Sequence, residues 1–140
     1  MLRKVIVVED DPFSQDFYKI FFKKVCNEVF ILENVDSIIN EIEKGDVDLI
    51  IMDINIKNTY WNSERLDGIK LSNMIKRKFN YLKIPVLLIS AYPISALGDN
   101  VLADSLADDY FTKPIYDYNK LVNKINKLVY SENERQSINS

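Results

Sequence analysis

Asp48-Leu49-Ile50-Ile51-Met52-Asp53 is the stretch on which the reading of this chain turns. Four apolar residues in a row lack the alternation of a half-wet strand. They predict a short strand buried on both faces, as parallel sheets have. Asp53 stands where that strand runs out. Upstream, Val5-Ile6-Val7-Val8 is a second such run, and it also ends in acid, Glu9-Asp10-Asp11. If the two runs are neighbouring parallel strands, the carboxylates of Glu9, Asp10 and Asp53 meet at one edge of the sheet. Hard divalent cations prefer oxygen ligands, and Mg2+ suits a few carboxylates completed by water and phosphate.

Outward from these two runs, strand and helix signals alternate. After the first strand, Pro12 opens a helix, a position proline tolerates well. Phe13, Phe17, Ile20, Phe21 and Val25 recur there at helical spacing. Tyr18 and Phe22 widen the stripe: it is either a broad core face or a partly exposed aromatic ridge. The second option makes Tyr18 and Phe22 candidate docking residues for a partner helix. Residues 29–32 form a strand. Asn34 or Asp36 caps the next helix, Ile38, Ile39 and Ile42 give its apolar face, and Gly45 ends it.

Beyond Asp53, residues 54–65 are polar and carry a Tyr60-Trp61 pair. That is long for a strand-to-helix loop, where about 2–6 residues is usual. A helix follows over 66–79. A strand over 86–89 leads into Ser90-Ala91. Residues 94–107 make a poor helix, because Gly98, Asp99 and Asn100 lower its propensity, and this is expected to be the most mobile element. A strand over 110–112 ends at Lys113-Pro114. Leu121, Val122, Ile125, Leu128 and Val129 line the last helix. The polar residues 131–140 are expected to fray, leaving one domain over 1–130. Five such units predict an α/β fold: a doubly wound, five-stranded parallel sheet with helices on both faces. Ligands of such sheets bind at the carboxyl ends of the strands. Glu9, Asp10, Asp53, Ser90 and Lys113 all lie there.

The totals remove several alternatives. A chain of 140 residues with net charge −3 has no basic excess to hold a phosphate backbone, so nucleic acid is not expected as a direct partner. No apolar run approaches the roughly 18 residues that span a bilayer, so no membrane partner is expected. The single cysteine, Cys26, has no internal partner and fits a reducing cytoplasm as a small buried residue. The chain has no histidine. Ser-His-Asp chemistry, a His-ligated zinc and a phosphohistidine within this chain are therefore excluded. Phosphate chemistry here must use carboxylates and a hard metal ion.

Four signals in order carry a resemblance: Glu9-Asp10 after the first strand, Asp53 after the third, Ser90-Ala91 after the fourth and Lys113-Pro114 after the fifth. With them, the chain closely resembles the receiver domain of two-component response regulators over about residues 3–129. The resemblance implies a flavodoxin-like fold with strand order 2-1-3-4-5 and five helices. It implies that Asp53 is the phosphoacceptor for a histidine kinase or a histidine phosphotransfer protein, with an unknown protein downstream. Mg2+ would be held by Glu9, Asp10, Asp53 and the backbone carbonyl of Asn55. Ser90 and Lys113 would bind the phosphoryl group, Tyr110 would follow the state of Ser90, and the Lys113-Pro114 bond would be cis. Such a protein is a phosphoacceptor with Mg2+-dependent self-phosphorylation and slow self-dephosphorylation, not a true enzyme. Tyr92, two residues past Ser90, is a candidate for slowing hydrolysis.

The fit has departures. The loop after Asp53 is several residues longer than the family norm, and Ile56-Lys57 stands where Met-Pro is usual. Two alternatives to a stand-alone phosphorelay switch remain at this level. One is a receiver cut from a larger regulator or hybrid histidine kinase. The other is a Mg2+-dependent phosphatase with an aspartyl nucleophile, although that class wants a second acid where Asn55 stands.

Overall fold

The computed structural model describes residues 1–98 and 100–130, so the expected fraying of 131–140 lies outside the described residues. The strands and helices run in chain order β1 (Leu2–Val8), α1 (Pro12–Lys23), β2 (Cys26–Leu32), α2 (Val35–Glu43) and β3 (Val47–Asp53). Then come β4 (Tyr60–Trp61), β5 (Glu64–Arg65), α3 (Gly68–Lys78), β6 (Val86–Ser90), α4 (Ile94–Leu97), α5 (Val101–Ser105), β7 (Asp109–Thr112) and α6 (Tyr118–Val129).

Five strands form one parallel sheet in the order β2-β1-β3-β6-β7. With the two-residue strands β4 and β5 set aside, this is the expected 2-1-3-4-5. The continuous apolar runs conceal a period of two. Ile6, Val8, Ile50, Met52, Val86 and Leu88 face the core shared with α2 and α3. Val5, Val7, Leu49, Ile51, Leu87 and Ile89 face the other core, with α1 and α6. Both faces are covered, which is why neither run alternates in polarity. The register pairs Val8 with Met52 and Asp53 with Ile89, so the strands run out together and their following residues share one edge.

The caps follow the sequence closely. Asp11, Asn34, Asp67 and Asp117 each accept a backbone N–H of the first turn of α1, α2, α3 and α6. The poor helix breaks into two short pieces. Gly98 closes α4 at φ 102°, a backbone state that costs glycine nothing, and α5 starts afresh at Val101. The described residues thus hold six helices where five were expected.

Two expectations are corrected. Tyr18 and Phe22 do not form an exposed ridge. They are 2% and 0% exposed and sit in the core beside Val25. The exposed aromatic of α1 is Phe13, at 87%, with Ile20 at 69%. Aromatic or aliphatic residues occupy nearly every face of α1, so spacing alone does not select the inward one. Tyr18 and Phe22 turn inward together, one helical turn apart on one face, and Val25 joins them from the turn after α1. The second correction concerns the long loop after Asp53. Part of it is an antiparallel hairpin, β4 against β5, turning through Asn62 and Ser63 at φ 51° and 66°. Two positive φ values in a two-residue turn match the twist of paired strands.

Candidate functional site

The ends of β1, β3, β6 and β7 deliver polar groups to the same edge. Glu9 follows β1, and its side chain is fully buried. Its Oε2 accepts from the backbone N–H of Asp10 (3.1 Å) and Asp11 (3.4 Å). Gln15, one turn into α1, donates to the Glu9 carbonyl at 2.7 Å and ties the loop to the helix. Asp53 ends β3 and is 7% exposed. Its Oδ1 accepts from the N–H of Asn55 at 2.9 Å, a side-chain turn that folds the chain back over the site. Asp10 is half-buried, and its Oδ2 accepts from the N–H of Lys57 at 3.0 Å.

Lys113, arriving from β7, joins the acids. Its Nζ donates to Glu9 Oε1 at 2.7 Å and to Asp53 Oδ2 at 3.2 Å. Ser14 Oγ lies 3.5 Å from the same ammonium. The Lys113-Pro114 bond is cis, as expected, and the Lys113 N–H donates to the Ser90 carbonyl at 2.7 Å. Ser90 is 3% exposed, and its Oγ accepts from the N–H of Tyr92 at 3.0 Å. The Tyr92 ring points out, 59% exposed. Tyr110 is half-buried on β7, with Lys124 Nζ 5.0 Å above its ring. Glu9, Asp10, Asp53, Ser90 and Lys113 thus meet at one edge, whereas Tyr110 lies within β7, the Tyr92 ring faces solvent, and Tyr18 and Phe22 lie in the core.

Three carboxylates, those of Glu9, Asp10 and Asp53, offer oxygens within 4.8 Å of one another. Against them stands one ammonium, so two negative charges remain unbalanced when all are ionised. The crowding shows in Glu9, whose carboxyl is pushed up to about 7 by burial first and by the neighbouring Asp53 second; Lys113 opposes the shift. Burial disfavours the Lys113 ammonium, but the bond to Glu9 and the charges of Asp53 and Glu9 outweigh it and raise its pKa. The Tyr18 hydroxyl under the site is held far above its usual value by burial and then by Glu9 and Asp53. An all-oxygen donor set of this charge fits a hard divalent cation such as Mg2+.

Four contributors were not singled out by the sequence. Ser14 and Gln15 reach the site only because α1 starts directly beneath it. Gly68 is sited by a close approach: its N–H donates to the Ile54 carbonyl at 2.9 Å, and any Cβ there would collide with the Asp53 carbonyl oxygen. Asp67 caps α3 through its side chain, but nothing in the order of residues marks Gly68 as the support of Asp53. The fourth contributor, the N–H of Lys57, is backbone and carries no side-chain signature.

Comparison with known proteins agrees with this geometry. The family model for the response regulator receiver domain matches residues 5–126. Response regulator GtcR of Aneurinibacillus migulanus is 30% identical over 115 residues, covering 81% of this chain and 43% of that protein. This chain therefore spans less than half the length of that relative. The N-terminal signal receiver domain of a two-component response regulator from Bacteroides fragilis superposes with a TM-score of 0.76 at 22% identity, covering 94% of this chain and 99% of that one. The receiver domain of a sensor histidine kinase from Pseudomonas aeruginosa, with magnesium ion coordinated in its active site cleft, superposes with a TM-score of 0.70 at 20% identity, covering 94% and 100%. The solved structures share the fold, and the family model spans nearly every residue of the sheet and its edge. The chain belongs to the response regulator receiver domain family.

Proposed function

We propose that Asp53 accepts a phosphoryl group from a phosphohistidine on a histidine kinase or phosphotransfer protein. The phosphorus–nitrogen bond of the donor breaks, an oxygen–phosphorus bond forms on the Asp53 carboxylate, and the freed imidazole takes a proton from water. The observation that carries this reading is the contact of Lys113 Nζ with both Glu9 and Asp53, at the edge where Asp10 also ends.

Glu9, Asp10, Asp53 and the carbonyl of Asn55 would hold Mg2+. When bound, the ion neutralises the crowded acids and polarises the phosphoryl oxygens. Lys113 is already at Asp53 Oδ2 and passes to a phosphoryl oxygen once one is there, a charge-assisted bond. Ser90 Oγ, now accepting from Tyr92, turns its hydroxyl to the same group and takes the loop after β6 with it. Tyr110 on β7 is next to Ser90's strand and follows that shift. The exposed Tyr92 ring lies close enough in sequence to screen the phosphoryl group from water.

Donor docking moves from Tyr18 and Phe22 to the surface beside them, where Phe13 is exposed and Phe17 and Ile115 are half-buried. A cleft of about 240 Å3 beside Lys113 is lined by Phe13, Phe17 and Ile115, with the buried Tyr18 also in its wall. Its apolar walls suit a helix of the donor that brings phosphohistidine to Asp53. No described helix is long and apolar enough to cross a membrane; phosphohistidine donors act in the cytoplasm, and we place the protein there. The greater length of GtcR supports a second reading, in which this receiver is one module of a longer regulator.

The test is incubation with a small phosphodonor, such as acetyl phosphate, in Mg2+. The chain gains the mass of one phosphoryl group on Asp53, and both EDTA and Asp53→Asn abolish the gain. Labelling that survives Asp53→Asn, or no labelling of the native chain, overturns the proposal.

A further inference from the structure

The hairpin inserted after Asp53 reaches back to the acidic edge through a single peptide group. In the peptide between Ile56 and Lys57, the N–H donates to Asp10 Oδ2 at 3.0 Å. The carbonyl of the same peptide accepts from Arg65 Nη2 at 3.4 Å, and Arg65 Nε donates to the next carbonyl, that of Lys57, at 3.2 Å. Arg65 belongs to β5, and among the described residues it makes no ion pair. Its fork is spent on two backbone oxygens. A cation on the carbonyl side of a peptide polarises it and makes its N–H a better donor to an anion, and hydrogen bonds in series strengthen one another.

The hairpin is well anchored for this task. The Leu66 N–H closes it on the Thr59 carbonyl at 2.8 Å. Thr59 is 2% exposed and donates through Oγ1 to the Glu33 carbonyl at 3.2 Å, in the loop after β2. Trp61 packs against the core. The substitution of Ile56-Lys57 for the usual Met-Pro now has a physical meaning. Proline has no N–H to give. Only a residue other than proline at position 57 can hold Asp10 in this way.

We infer that Arg65 and the Ile56–Lys57 peptide form a positioning device for Asp10, which pins one carboxylate oxygen and leaves the remaining lone pairs for a divalent cation. The inference rests on the metal-binding reading of the acidic edge. A carboxylate has about four acceptor positions, so one N–H does not exhaust it. The benefit is orientation: partners behind a metal ligand are commonly worth about 10–100-fold in affinity, and an exposed arginine acting through a peptide belongs at or below the low end.

The test is calorimetric titration of the intact chain with Mg2+. Arg65→Gln raises the Mg2+ Kd about threefold to tenfold, Arg65→Lys restores part of the loss, and Lys57→Pro raises the Kd at least as much as Arg65→Gln. Since both act through one peptide, Arg65→Gln adds little in the Lys57→Pro background, whereas independent effects would multiply. Thr59→Val, which loosens the hairpin elsewhere, lowers thermal stability but leaves the Kd within about twofold. Arg65→Gln with an unchanged Kd, a tighter Kd in Lys57→Pro, or multiplying effects overturns the inference. Asp10→Asn is the control: Mg2+ binding that it does not weaken removes the underlying metal-site reading, while binding lost there but unchanged in Arg65→Gln removes only the positioning role.

Discussion

Glu9 is the residue at which the conflict of charges is sharpest, being fully buried with a carboxyl at about 7 against an ordinary 4.5. The folded chain therefore holds a proton on Glu9 that the unfolded chain releases across that interval. The stability that Glu9 contributes therefore falls as pH rises from about 4.5 through 7, and its loss is complete above it. Thermal melts in EDTA between pH 5 and 8 show this slope, and Glu9→Gln flattens it. Excess Mg2+ reverses the trend, because the ion binds the deprotonated form and stabilises more as pH rises. An EDTA stability curve that is flat for the native chain, or unchanged by Glu9→Gln, contradicts the assignment.

At the level of elements, α3 is held against β3 by the absence of a side chain. The N–H of Gly68 donates to the Ile54 carbonyl, and a Cβ would strike the backbone of Asp53. Backbone cannot rotate away as a side-chain tip can, so Gly68→Ala costs about 1–3 kcal/mol or more in chemical denaturation. It also displaces Asp53, so acceptance of phosphoryl from acetyl phosphate falls with stability. The β4–β5 hairpin shows where reading by pattern stops. Two-residue strands are too short to display a period, and Asn62-Ser63 lacks the glycine that marks such turns. The phase of α1 was hidden for the opposite reason, an excess of aromatic signal on every face. By contrast, Asp53, Ser90 and Lys113 were legible because each directly follows a strand signal, and strand polarity alone carries them to one edge.

Across the whole molecule, protection is expected to be graded from the sheet outward. β1 and β3 are paired on both sides, and their side chains are buried between two helical layers. α4 and α5 span four and five residues, and neither has a side-chain cap. In native-state hydrogen exchange, amides of β1 and β3 open only with global unfolding, whereas those of α4 and α5 exchange fastest. Uniform protection across α5 and β3 would count against this grading. The long-range architecture was readable because five strand signals recur between helical ones. Backbone donors such as the N–H of Lys57 were not, since they depend on where the chain returns in space.

The ammonium of Lys113 and the carboxylate of Glu9 stand 104 positions apart along the polypeptide yet touch at 2.7 Å. That contact is thus absent from a nascent chain until β7 has been synthesised and docked. Under the proposed phosphoacceptor role of Asp53, a polypeptide cut before β7 lacks the ammonium that steadies the acceptor and is expected to take up phosphoryl poorly.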